Sequence, residues 1–268
     1  EDVYGVGQAK GKRLPLIQIP TTAGTGSEVT PISIITVGKS EKKGVVAQQL
    51  LPDIALLDAE LTLGLPAPIT AATGIDAMVH AIESYTSASA NNNPVSRAIA
   101  REALRLLGAN IETAVKDGTN IQARSNMLLG AMLAGQAFAN SPVAGVHALA
   151  YPIGGIFHVP HGLSNALVLP QVMRFNASVC GDAYATLAPD VFPELISVPE
   201  ADRVDEFINR LQALSLDLGL EQTLREVGIS ESDLPILASE AMKQVRLLVN
   251  NPKELSEADV LAIYRAVF

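Results

Sequence analysis

The stretch His147–Gly162, HALAYPIGGIFHVPHG, holds three of the four histidines in this 268-residue chain: His147, His158 and His161. The fourth, His80, lies in the apolar run TAATGIDAMVHAIESY, four residues after Asp76. At i and i+4, Asp76 and His80 project from one helix face, one turn apart. The same spacing also serves a hydrogen-bonded pair or a helix cap, and a lone core histidine needs no ion at all. Clustering weighs against those readings. A chain poor in histidine places all of it in two largely apolar segments, where an unpaired imidazole or carboxylate is costly to bury. A set made of Asp76, His80 and two of the later histidines suits zinc or ferrous iron, whereas calcium would want oxygen ligands throughout.

Composition narrows the classes. The chain is 48% apolar and 18% charged, enough to bury a substantial core, and no run approaches the length of a membrane span. A formal charge of −9 and a sequence pI of about 4.9, with no basic stripe, exclude a nucleic-acid binder. The single cysteine, Cys180, rules out an internal disulfide framework, reads as a small core or surface residue, and fits the reducing cytoplasm. The N-terminal residues show no secretory pattern and no initiating Met, so the chain is either processed or part of something longer. Gly5, Gly7 and Gly11 follow no strand and open no apolar helix, which removes a nucleotide-loop reading there.

Along the chain, the first quarter is β-rich. Residues 14–20 (LPLIQIP), 31–37 (PISIITV) and 53–58 (DIALLD) read as short strands, the first of them buried. Residues 38–43 (GKSEKK) read as a hairpin turn. From Thr62 onward the pattern is helical. In residues 94–115, Ile99, Ala103, Leu106, Leu107 and Ile111 form an apolar stripe while Arg97, Arg101 and Arg105 can face solvent. Residues 127–139 are apolar all round, the mark of a helix buried on several sides. Three C-terminal helices are expected around 204–218, 234–249 and 258–268, two of them opened by the capping boxes Ser230-x-x-Asp233 and Ser256-x-x-Asp259. The organisation is a β-containing portion, 1–65, feeding a helical domain, 66–268.

Four segments in order, PTTAGTGSEVT, AATGIDAMVHAIESY, HALAYPIGGIFHVPHG and NPKELSEADVLAIYRAVF, resemble the iron-containing (group III) alcohol dehydrogenases of the dehydroquinate-synthase-like fold. The likeness covers essentially the whole chain, and the thirteen residues between His147 and His161 make a specific motif. It implies a mainly α fold, a helical metal-binding domain preceded by a small β-containing remnant of the nucleotide-binding domain. It also implies a divalent metal, Fe2+ or Zn2+, held by Asp76, His80, His147 and His161, and a nicotinamide cofactor, NAD or NADP. By position, Thr21, Thr22, Gly24 and Thr25 line the dinucleotide cleft, with Lys42 or Lys43 as the basic residue after the hairpin. Without the resemblance, TTAGTGSE is a glycine turn that lacks the Lys-Ser/Thr of a Walker-type loop.

Three departures from the family pattern matter. The pyrophosphate-gripping Gly-Gly-Gly-Ser loop of the family is not in the chain. Tyr151 stands where many relatives carry a histidine proposed as a proton relay; a phenol could take over that catalytic duty if the nearby cation lowered its pKa. Ile32 replaces a polar residue of some small-diol enzymes, which implies a more apolar substrate pocket beside Phe138. His158, three residues before a ligand, is taken as lining the cleft without ligating, in a supporting catalytic or a surface role.

The resulting expectation is a metal-dependent oxidoreductase that interconverts an alcohol and an aldehyde or ketone. Two alternatives stay open, a metal-binding domain without dehydrogenase turnover and a metal-dependent ester hydrolase. The expected partner is a small-molecule substrate, and self-association into a homo-oligomer stays open.

Overall fold

The computed structural model describes residues 3–38 and 41–268. Five short strands come first: β1 (Gly5–Val6), β2 (Ile17–Gln18), β3 (Ile32–Val37), β4 (Glu41–Val46) and β5 (Ile54–Ala55). Antiparallel β3 and β4 pair from Ile32 with Val46 to Val37 with Glu41, and β1 adds to β4 in parallel. The strand β4 thus begins inside the stretch read as a turn, and the centre of that turn, residues 39 and 40, lies outside the described residues. A separate two-stranded parallel ladder joins β2 to β5.

That ladder corrects the expectation of a buried strand at 14–20 and shortens the strand expected at 53–58. Each contributes only two residues, and Leu14 and Ile17 are 84% and 56% exposed. The apolar pattern is present, but no described element covers this face, so pattern and burial part company. The pair is held instead by Arg13, whose guanidinium bridges the Asp53 carboxylate and the Leu51 carbonyl.

Nine helices follow among the described residues: α1 (Ala67–Thr86), α2 (Pro94–Lys116), α3 (Ile121–Asn140), α4 (Gly145–Phe157), α5 (His161–Val191), α6 (Glu200–Asp217), α7 (Leu234–Met242), α8 (Val245–Leu248) and α9 (Glu257–Ala266). The fold is therefore mainly α with a small sheet portion. Starts are set by local chemistry. Asn93 and Ser96 form a reciprocal capping box for α2, Asn120 caps α3, and Ser256 with Asp259 boxes α9. The Ser230/Asp233 box opens a 3-10 turn that runs into α7. The helix expected over 234–249 is broken at Lys243 and Gln244 into α7 and α8.

Helix α1 is the axle, packed against α2, α3 and α5, and buried from Thr70 to Ser84 save for Thr73. On α2, Ala103, Leu107 and Ile111 are buried as expected and Leu104 joins them. Arg101 and Arg105, expected to face solvent, both reach the buried Asp190 near the end of α5. Long arginine side chains can leave their own helix face to satisfy a buried carboxylate.

The loop Thr21–Thr30 is pressed onto α3. Gly26 is left-handed (φ 59°), and a Cβ there would lie 2.5 Å from the Gly135 Cα. Only a glycine-on-glycine crossing lets loop and helix approach that closely. Cys180 is a buried free thiol, pushed up to about 11 by burial. No described helix is long and apolar enough to cross a membrane.

Candidate metal centre

Three helices deliver the polar cluster. Asp76 and His80 come from α1, His147 from the first turn of α4, and His161 is the first residue of α5. The Asp76 Oδ1 lies 3.7 Å from His161 Nε2, 3.8 Å from His147 Nε2 and 4.0 Å from His80 Nε2. Asp76, His147 and His161 offer ligand atoms all within 4.8 Å of one another. His80 approaches the same oxygen from one turn along α1. Asp76, His80 and His147 are buried, whereas the His161 side chain is 45% exposed and opens the cluster to the outside.

Close backbone approach sets this geometry. A Cβ on Gly162 would stand 2.2 Å from the Ala72 carbonyl oxygen, so the start of α5 rests directly on α1. Ring stacking orders the rest. Phe138 lies on His80 (centroids 4.5 Å apart, planes 28° apart) and His80 on His147 (4.8 Å, 24°), while Tyr151 meets His161 edge-on at 5.9 Å.

Electrostatics prepares the group for a cation. Burial alone would push the Asp76 carboxyl up, but the charges of His80, His161 and His147 and the Asn165 hydrogen bond overcome it and hold it below the ordinary value. His80 is pushed down to about 3, first by burial and then by the like charges of His147 and His161, against the opposing pull of Asp76 and the Gly24 backbone. It is therefore neutral at pH 7, the form that can donate a lone pair to a metal. Imidazole nitrogens around a carboxylate are a donor set fitted to zinc or ferrous iron. Tetrahedral ligation at about 2.1 Å separates ligand atoms by roughly 3.4 Å, close to the spacings around Asp76. The Asn165 Oδ1 is buried without a hydrogen-bond partner, a further sign of a site built for something besides packing.

Two residues that sequence reading passed over belong here. Asn165 donates from Nδ2 to Asp76 Oδ1 at 2.6 Å and sits 3.4 and 3.3 Å from the Nε2 atoms of His147 and His161. Glu83, buried, contacts His147 Nδ1 at 2.7 Å. A signal existed for both: Glu83 is i+7 from Asp76 and Asn165 is i+4 from His161, each on the face of a residue of the cluster.

The remaining expected site residues are spread around this cluster. The Gly24 backbone lies against the His80 ring, Thr22 is half-buried, and Thr21 and Thr25 are exposed. Lys43, on β4, holds its ammonium 5.4 Å from the Tyr4 ring centroid, and the Lys42 side chain lies outside the described residues. Ile32 is half-buried against the core, and Phe138 is spent in its stack on His80. His158 is exposed, the left-handed C-cap of α4 (φ 58°), and its ring is not part of the cluster.

Residues 70–268 match the model of the Fe-containing alcohol dehydrogenase family, C-terminal, and residues 1–59 match that of iron-containing alcohol dehydrogenase. The chain belongs to the iron-containing alcohol dehydrogenase family. Among the relatives of this family member is long-chain-alcohol dehydrogenase 1 of Geobacillus thermodenitrificans, 43% identical over 267 residues, covering 100% of this chain and 67% of the relative. Another is 1,3-propanediol dehydrogenase of Citrobacter freundii, 39% identical over 255 residues, 95% of this chain and 65% of the relative. The chain thus spans about two thirds of the length of the curated relatives it matches.

Two solved structures show the shared fold. That of 1,3-propanediol oxidoreductase superposes with a TM-score of 0.94 at 36% identity, covering 99% of this chain and 69% of the other. Sulfoacetaldehyde reductase from Bifidobacterium kashiwanohense, in complex with NAD+, gives 0.87 at 30% identity, covering 99% and 68%.

Proposed function

We propose that the chain supplies the metal-binding side of an alcohol dehydrogenase cleft, interconverting an alcohol and an aldehyde or ketone with NAD or NADP, and that Asp76, His80, His147 and His161 hold Fe2+ or Zn2+. The observation that carries this reading is the convergence of imidazole nitrogens from three helices on one carboxylate oxygen at 3.7–4.0 Å. The relatives' names, dehydrogenases and a reductase, favour it over ester hydrolysis.

When bound, the cation supplies positive charge that acidifies a substrate hydroxyl and polarises a carbonyl. The protein's part is placement and exclusion of water. Asp76 and the three imidazoles would hold this cation, and the exposed edge of His161 marks the side open to a substrate. Ile32 and Phe138 are the candidate apolar residues of the substrate pocket, Phe138 through its stack on His80. Thr21, Thr22, Gly24 and Thr25, on the loop whose Gly24 backbone touches His80, present hydroxyls and amides to the dinucleotide, with Lys43 as its basic partner. A nicotinamide held by this loop would supply the hydride chemistry.

Tyr151 is the candidate proton carrier. It borders His161, and burial raises its phenol while the Arg246 guanidinium against the hydroxyl opposes that rise. His158, exposed at the end of α4, lines the approach to the cleft.

The test is elemental analysis of the purified protein beside His147→Ala and His161→Ala, together with NADH and NADPH titrations. Both variants are expected to lose the metal and the alcohol-dependent reduction of cofactor. Stoichiometric metal retained in either variant would refute the assignment.

A further inference from the structure

Helix α4 begins at an unusual place. Its N-cap, Ala144, has φ −138° and ψ −127° and offers no side-chain cap, so the first amides of the helix need acceptors from elsewhere. Glu83 of α1 provides them. Its Oε1 accepts the Val146 N–H at 2.6 Å and its Oε2 accepts the Ala144 N–H at 3.0 Å. The same Oε2 lies 2.7 Å from His147 Nδ1. Both Glu83 oxygens already accept backbone N–H groups, so the carboxyl group faces His147 as an acceptor and the Nδ1 side of the ring is placed to donate.

We propose that Glu83 is a positioning residue that holds His147 with its proton on Nδ1 and its Nε2 lone pair directed at Asp76. In a neutral imidazole only one nitrogen carries hydrogen, so fixing Nδ1–H leaves Nε2 bare. The opposite tautomer would aim a proton into the space between Asp76, His80 and His161 and abolish one ligand. Glu83 is buried and pairs with no lysine or arginine among the described residues. The hydrogen bond from Nδ1–H to this carboxyl oxygen raises the basicity of Nε2 as a ligand.

The register of α1 makes the arrangement economical. Asp76, His80 and Glu83 fall at i, i+4 and i+7, so a single helix face carries a carboxylate oxygen, an imidazole and the group that aims a second imidazole. Glu83 also ties the first turn of α4 to α1, so orientation of the ring and placement of its backbone share one anchor.

This inference rests on His147 being a metal ligand, and the experiment separates the two claims. Zn2+ affinity is measured by competition with a chromophoric chelator in the wild type, Glu83→Gln and Glu83→Asp, and the His147 tautomer is read from side-chain 15N resonances of metal-depleted protein. The expected wild-type spectrum shows a protonated Nδ1 and a bare Nε2. Glu83→Gln is expected to bind Zn2+ about 10- to 100-fold more weakly and to show a mixed tautomer, because one amide oxygen cannot serve all three donors. Glu83→Asp, still an acceptor-only carboxylate, is expected to keep the Nδ1 proton better than Gln.

Wild-type affinity in Glu83→Gln with the tautomer unchanged would overturn the proposal. If that variant does not fold, the wild-type spectrum decides alone, and a proton on Nε2 overturns it. A wild type that binds no Zn2+ yet carries the Nδ1 proton would sink the metal assignment while sustaining the role of Glu83 in setting the tautomer.

Discussion

Replacing Gly162 by alanine tests whether close helix contact builds the centre. The new Cβ would lie 2.2 Å from the Ala72 carbonyl oxygen, 2.6 Å from its carbon and 3.3 Å from the Thr73 nitrogen. All three are backbone atoms of α1, so no side chain can rotate away. Non-bonded heavy atoms sit comfortably at about 3.5 Å, so the first turn of α5 must retreat by roughly 1 Å. His161 is the preceding residue and moves with it, opening its 3.7 Å approach to Asp76 towards about 4.7 Å. Overpacking of this kind costs about 1–3 kcal/mol, on the order of 2–12 °C in Tm for a chain of this size.

Zn2+ affinity is expected to fall about 10- to 100-fold, since centres of this kind tolerate displacements of only about half an ångström. The assays are thermal unfolding and chelator competition on the same samples. Gly181→Ala is the control, because it lies on the same helix with nothing within 4 Å of its would-be Cβ. It should gain about 0.5–1 kcal/mol and leave metal binding alone. A Gly162→Ala protein with the wild-type Tm and affinity would show that α5 is not seated on α1 as described.

Two further outcomes follow from buried or paired charges. Arg124 donates to Thr70 Oγ1 and to the carbonyls of Gly118 and Leu65, stapling the start of α1, so Arg124→Leu should lose about 1.5–3 kcal/mol in urea unfolding. Asp53 is lowered to about 2, chiefly by its hydrogen bond from Arg13. A lowered folded-state value means the contribution of that contact is present above the ordinary carboxylate value and lost as pH falls toward 2. Amides of the β2/β5 ladder should therefore lose protection, measured against the intrinsic exchange rate at each pH, between about pH 4 and 2, and Asp53→Asn should remove that pH step with protection low throughout. The pair is exposed, so raising salt should weaken the wild-type effect.

Much of the site was legible because its chemistry is local or periodic. Asp76 and His80 are an i, i+4 pair, and the helical repeat alone puts them on one face. The histidine clustering in an otherwise apolar chain pointed to two of His147, His158 and His161, and the family resemblance singled out His147 and His161. Glu83 and Asn165 were passed over although each shares a face with a ligand, since an isolated Glu or Asn on a helix carries no signal until its partner from another helix is in view.

Composition and periodicity by themselves determined a helical protein with a short β-rich entry, a charge balance unsuited to nucleic acid, and a metal-competent set of side chains. Those are properties of neighbours in sequence, set by backbone sterics and by the cost of burying polar groups alone. The tertiary structure decided which ligand atoms meet, that α5 rests on α1 through Gly162, that Arg101 and Arg105 turn to Asp190, and that the apolar residues around β2 stay uncovered. Each depends on what an element packs against, and that is settled by contacts between residues tens of positions apart, where no local pattern records the partner.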